Sequence, residues 1–298
     1  MDNKNPLSGQ TANPLSDYFR QPGTYITLPS NGRFYKDKLT LSDSGELAIY
    51  PMTAKDELRL KNPDALFNGE AMRGVIKSSV PDIENVDEIP SADVDMILVA
   101  IKMASYGDDM PMDVSHNCNE ADGKAQRINV SLGQIISTLR PIPDKLGTVV
   151  LSTGLEVHLR PYNLKDQGRL LKMQFDSMRN LQSSEQRGEK IEDQTNIANA
   201  GFASLVDLSQ DLLTGAILKV VIPGKDTDEE PKEITDIKHI AGWLANLDRG
   251  SCDRLEDELK SFQEFGIIRE ITATCDYCKE DYKTDMLFDP TSFFSAGS

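Results

Sequence analysis

The sequence predicts an α+β fold of two pseudo-repeated lobes, each a short strand hairpin followed by helices and closed by a knuckle-like β-hairpin, with the second lobe more helical. Three observations predict it. A strand–proline–helix segment occurs twice, a cysteine-bearing hairpin pattern closes each half, and the second half holds long runs with helical spacing of apolar residues.

The repeat is direct. Gly45 to Leu60 (GELAIYPMTAKDELRL) returns as Gly154 to Leu170 (GLEVHLRPYNLKDQGRL), with Pro51, Lys55, Asp56, Arg59 and Leu60 standing where Pro161, Lys165, Asp166, Arg169 and Leu170 stand, and Leu41 matching Leu151. In each copy alternating apolar residues run into a proline, which has no backbone N–H and ends a strand. Thr53 or Asn163 then offers a helix N-cap, and Asp56 or Asp166 favours the positive end of the helix dipole. Lys55/Asp56 and Lys165/Asp166 therefore read as first-turn cap chemistry and not as acid–base pairs. The closing patterns are Met110 to Leu132 and Arg269 to Leu287, each two short strands around a polar turn; Cys118 aligns on Cys278 only with gaps.

Residues 1–24 read as a flexible arm, with Leu7, Leu15, Tyr18 and Phe19 as the residues that would dock it on a neighbour. The first lobe is placed at 25–140, where Asn68-Gly69 ends a helix. Ser91 caps Ala92 to Tyr106, an all-round apolar core helix that Gly107 terminates. Pro141 and Pro143 mark a linker. The second lobe is placed at 147–298: a helix over Asn163 to Gln182, a loop over Ser183 to Asp193, a long two-striped helix over Thr195 to Val221 and a solvated acidic loop over Lys225 to Glu233. A helix follows over Ile234 to Leu247, then one capped by Ser251 and stopped by Gly266.

A chain of 298 residues suffices for two modest domains, and its 32 Lys plus Arg against 48 Asp plus Glu leave a net charge of −16. Such a field repels phosphate backbones, so free nucleic acid is not an expected partner. Four cysteines are too few for a disulfide framework, which points to a reducing compartment. The N-terminus lacks the basic start and apolar core of a signal peptide, and the longest apolar run, Met96 to Ala104, is interrupted by Lys102, so neither export nor a membrane span is expected.

Cys275 and Cys278, two residues apart on a hairpin, form half of a zinc-ribbon site. His116 and Cys118, one residue apart on the other hairpin, are the only sensible second half, and pseudo-symmetric pairing of the halves would have to bring them together. The expectation is no cofactor, or one structural zinc; the bland alternative is a degenerate knuckle with free thiols. Neither turn has the glycine usual in a zinc knuckle. Cys252, after Ser251 at a helix start, is a conceivable nucleophile, but no spacing commends His116, His158 or His239 as its base. No phosphate loop, zinc-protease helix or serine elbow is present. Phe288, Phe293 and Phe294 either staple the chain end to the body or anchor a partner.

Leu28 to Tyr35 (LPSNGRFY), Pro51 to Glu57 (PMTAKDE), Lys61 to Gly69 (KNPDALFNG) and the CxxC followed by FDPTSFF resemble the baseplate hub assembly proteins of T-even-type contractile-tailed phages, over about residue 25 to the end. The resemblance implies a non-enzymatic hub component or an assembly chaperone. Its partners would be other baseplate hub, tail-tube or tape-measure-associated subunits, met in the infected cell's cytoplasm or in the tail, with an oligomer left open. Many members carry a cysteine pair in the first hairpin; this chain has Cys118 alone there, a departure that bears on an inherited metal site. The alternative is a zinc-ribbon binding module of other function.

Overall fold

The structure is a computed structural model describing residues 15, 18–35, 39–62, 69–118, 124–186, 191–224, 230–286 and 293–294. It shows the mixed helix and antiparallel-sheet architecture expected of an α+β protein. In the first half β1 (Thr24–Ile26) pairs with β2 (Leu47–Ile49), Thr24 opposite Ile49, and both strands turn alternate apolar side chains inward. Pro51 ends β2, and Thr53 caps α1 (Ala54–Leu60) in a reciprocal box with Asp56. α1 closes at Lys61, and Gly69, at φ 74 where a side chain would be strained, is the N-cap of α2 (Glu70–Ser79); the helix expected to end at Asn68-Gly69 would fall on residues 63–68, outside the described residues.

Next comes α3 (Ser91–Tyr106), buried around nearly its whole circumference and stopped by Gly107 at φ 92. The LPSNGRFY segment folds over its start. Asp93 is fully buried and accepts from the Ser30 N–H at 2.9 Å, the Ser30 hydroxyl and the Tyr35 hydroxyl at 2.9 Å, while burial drives its carboxyl up to about 6. Arg33 of the same segment donates to the carbonyls of Ile142 and Pro143. The proline-flanked stretch after the first half is thus packed: Ile142 is buried, and its N–H donates to the Pro29 carbonyl. A hairpin of β3 (Asp109–Ser115) and β4 (Ala125–Ser131) and the short α4 (Leu132–Ser137), capped by Ser131, complete this half.

In the second half β5 (Thr148–Val150) and β6 (Glu156–Leu159) repeat the strand pair, and Asn163 and Asp166 repeat the reciprocal cap at the start of α5 (Leu164–Gln186). The expected loop over Ser183 to Asp193 is largely helix, since α5 runs to Gln186 and α6 (Ile191–Ala216) begins at Ile191. The helix predicted over Thr195 to Val221 ends at Ala216. Ile217 to Ile222 is a strand, β7, pairing with β6 and with β8 (Lys232–Ile234) in a four-stranded antiparallel sheet of order β5-β6-β7-β8. Its β-branched residues suit a pleated strand better than a last helical turn. β8 also takes the first residue assigned to the next helix, so α7 (Ile237–Leu244) starts after Asp236, whose carboxylate accepts from the N–H of Lys238 and His239. In α8 (Arg249–Ser261) the cap is Asp248, which accepts from the Ser251 N–H and hydroxyl; Ser251 lies inside the helix. The hairpin of β9 (Glu270–Thr274) and β10 (Asp281–Asp285) closes this half.

Two apolar cores result, and each borrows from the other half. The first, around α3, β1 and β2, takes in Leu164, Ile267, Met286, Phe293 and Phe294. The second, around β5 to β7 and α8, packs against Ala92 and Phe34, whose ring meets Phe262 edge to face at 5.8 Å.

Candidate metal centre

The two closing hairpins are separate two-stranded sheets, and their turns meet. Where β3 ends, the chain continues into His116 and Cys118, with the Cys118 N–H donating to the His116 carbonyl at 3.0 Å. Beyond β9, the Cys275 N–H donates to the Glu280 carbonyl at 2.9 Å and the Lys279 N–H to the Cys275 carbonyl at 2.9 Å, winding Cys275 to Cys278 into a knuckle. The left-handed position such a turn requires is taken by Lys279, at φ 64, which is how the knuckle forms without a glycine.

Ligand atoms of His116, Cys118, Cys275 and Cys278 all lie within 4.8 Å of one another. Cys118 Sγ stands 3.9 Å from Cys275 Sγ, and Cys278 Sγ stands 3.5 Å from His116 Nδ1. Two thiolates on one tetrahedral zinc are separated by about 3.8 Å, and a thiolate and an imidazole nitrogen by about 3.6 Å, given ordinary zinc–ligand lengths. Two of the six ligand–ligand distances thus match the edges of a tetrahedron and none exceeds 4.8 Å, so the residues present fit a bound metal. One histidine and three cysteines would supply four ligands to a bound ion and leave no open position for substrate, the donor set of a structural site.

Electrostatics point the same way. The backbone N–H of Cys278 and the His116 side chain draw the Cys275 thiol down to about 6 despite its burial. For Cys278 the Glu280 N–H favours the thiolate, but burial and the sulfurs of Cys275 and Cys118 outweigh it and push the thiol up to about 11. Crowded sulfurs cannot all ionise unaided, and a divalent cation removes that conflict.

Around the ligands, Gln126 of β4 donates from Nε2 to the Thr274 carbonyl at 2.8 Å and accepts the Asp276 N–H on Oε1 at 2.7 Å. The His116 ring stacks on Tyr282 of β10, with centroids 4.4 Å apart and planes 8° from parallel. Neither residue was marked by the sequence, where each is one more polar strand position.

The remaining predicted residues lie elsewhere. Cys252 is half-buried in α8, its thiol pushed up by burial and by the Glu256 charge, the reverse of an activated nucleophile. His158 Nε2 lies 2.7 Å from Glu156, and His239 is exposed on α7. Phe293 and Phe294 are buried, edge to face at 5.1 Å, with the Phe293 carbonyl accepting from the buried Lys102 ammonium, so their side chains present no surface to a partner. Phe288 and Leu7 lie outside the described residues. Leu15, Tyr18 and Phe19 are exposed, while the adjoining Arg20 docks on the carbonyls of Pro51 and Ser78.

The family described as T4 bacteriophage base plate protein matches residues 27–295, nearly all of the chain and both cysteine hairpins. The chain belongs to that family. As a phage baseplate protein its work is contact with other tail proteins, and none of the described helices is long and apolar enough to cross a membrane. No curated protein and no solved structure matches the chain.

Proposed function

We propose that this chain is a non-enzymatic component or assembly factor of the phage baseplate hub, a two-lobed scaffold (25–140 and 147–298) that binds other hub, tail-tube or tape-measure-associated subunits while the tail is built. The carrying observation is the family match over residues 27–295, which runs through both copies of the strand–proline–helix unit and both closing hairpins. The exposed Leu15, Tyr18 and Phe19, next to an anchored Arg20, are the contact surface offered. Assembly takes place in the host cytoplasm. Mass spectrometry of purified particles beside a pull-down from infected cells tests the reading: the chain in particles makes it a component, the chain only in lysate with hub subunits makes it an assembly factor, and capture of no tail protein overturns both.

The His116, Cys118, Cys275 and Cys278 set is proposed to hold one structural Zn(II), tying the two halves together. Elemental analysis of the chain purified without chelator should give one zinc per chain, and Cys275→Ser should abolish it. The four-ligand set also favours a second reading, a zinc-ribbon binding module of other function, which predicts nucleic-acid binding at low salt; a net charge of −16 speaks against that.

A further inference from the structure

A metal site assembled from two hairpins needs something to hold them in register before the ion arrives. No strand ladder does so, because β3–β4 and β9–β10 are separate sheets. The side chain of Gln126 spans the gap. Gln126 lies in β4 opposite Val114 of β3, the strand that leads to His116 and Cys118. Its amide reaches over to the other hairpin and takes the two backbone groups that flank Cys275, the Thr274 carbonyl at 2.8 Å and the Asp276 N–H at 2.7 Å. Only a carboxamide donates and accepts in one such fork; a carboxylate lacks the donor and an aliphatic chain lacks both. Gln126 is buried, so these bonds are not shared with water.

Tyr282 sits on β10 opposite Ala273, the strand neighbour of that same turn. Its ring lies flat on the His116 imidazole at 4.4 Å, which fixes the plane in which Nδ1 lies 3.5 Å from Cys278 Sγ. Each hairpin therefore positions a ligand carried by the other.

We infer that Gln126 and Tyr282 are the positioning residues of the metal centre: Gln126 presents the Cys275–Cys278 turn to His116 and Cys118, and Tyr282 holds the imidazole of His116 in ligating orientation. This rests on the four-ligand metal reading above. Outer-shell partners of this kind are generally worth about tenfold to a hundredfold in metal affinity. A residue that only stabilised the fold would lower the stability of metal-free and metal-bound protein alike and leave the affinity where it was.

The test uses the full-length chain with Zn(II) affinity measured by competition against a chromogenic chelator, the visible spectrum with Co(II), and the thermal stability of the metal-free protein in parallel. Gln126→Ala and the milder Gln126→Glu are expected to bind Zn(II) about tenfold to a hundredfold more weakly, while the Co(II) bands of bound ion remain those of a tetrahedral sulfur-rich site. Tyr282→Phe, which keeps the ring, should match wild type, and Tyr282→Leu should lose up to about tenfold. Should Gln126→Ala fail to fold, Gln126→Glu and the Tyr282 pair still decide the matter. Wild-type affinity in both Gln126→Glu and Tyr282→Leu overturns the positioning role alone. A wild-type chain that takes neither Zn(II) nor Co(II) overturns the metal centre itself, and the positioning role with it.

Discussion

In the first strand–proline–helix unit the buried carboxylate of Asp56 accepts from the N–H and hydroxyl of Thr53, from the Ser78 hydroxyl at 2.7 Å and from Arg59 at 3.1 Å. In the second, Asp166 accepts from the Asn163 N–H at 3.2 Å and from Arg160 at 2.8 Å. The frame is shared: Tyr50 donates its N–H to the carbonyl ending α2, at Ser79, and Arg160 to the carbonyl ending α6, at Ala216. The props differ. Arg160 directly follows β6 and also donates to the Pro161 carbonyl at 3.0 Å. Its counterpart in the first unit is Tyr50, and the guanidinium on the corresponding Pro51 carbonyl comes from Arg20, which lies over the Tyr50 ring at 5.7 Å. The repeated arginines also diverge: Arg59 pairs with its own cap carboxylate and donates to the Gly74 carbonyl of α2, while Arg169 crosses to Asp211 of α6 at 3.0 Å. A duplicated cap thus survives because its backbone geometry is local, whereas the groups completing its carboxylate are whichever ones the surrounding packing delivers.

The largest effect is expected from removing the carboxylate. Asp166→Ala strands the mostly buried Arg160 and should cost about 3 kcal/mol in denaturant unfolding, and Asp56→Ala, whose Arg59 can turn to water, about 2 kcal/mol. A reversed order would break the comparison. Next, Arg20→Ala should lose about 1–2 kcal/mol and speed hydrogen exchange of the Tyr50 amide, leaving the Arg160 amide protected; Arg160→Ala should do the opposite. Ser78→Ala, removing one donor from Asp56, should cost about 1 kcal/mol. The smallest effect should come from Arg169→Ala, at most about 0.5 kcal/mol for so exposed a pair.

Acid sharpens the first unit further. Burial opposes ionisation of Asp56, but the Thr53 and Ser78 hydrogen bonds and the Arg59 charge outweigh it and hold the carboxyl below its ordinary value of 3.8. A lowered folded value means that this group's stabilisation is complete above that ordinary value and is lost as pH falls through the folded one. The stability gap between wild type and Asp56→Asn should therefore be constant near neutrality and shrink only in strong acid; a gap already closing at pH 6 would assign the effect to another group.

Much of this was legible in the residues. The repeat, the proline stops, the caps Thr53 and Asn163 and both cysteine hairpins depend on neighbours within a few positions, where backbone geometry and side-chain type decide the outcome locally, whereas Ser91 and Ser251, expected as caps, lie inside their helices behind Pro90 and Asp248. Cys275 and Cys278 announced half a site through their spacing, and His116 and Cys118 could be nominated as the other half because few ligand types remained. Ile217 to Ile222 was hidden because its apolar spacing continues that of the helix before it, with Gly215 inside the last helical turn and no proline until Pro223, and only the open edge of β6 makes it a strand. Gln126, Tyr282 and Arg20 carried no mark at all, and Lys102 stood out only as the charge that interrupts an apolar run.

What the sequence determined by itself is structure whose hydrogen bonds close within a turn or two: the repeated caps, the closing hairpins, a buried helix and the two-residue cysteine knuckle. The tertiary structure decided which of these meet, bringing the ligand atoms of two turns within 4.8 Å of one another and putting Arg20 where the other copy keeps Arg160. Contacts between chain-distant groups are selected by the packing of whole elements, and that packing is a property of the assembled cores rather than of any short run of residues.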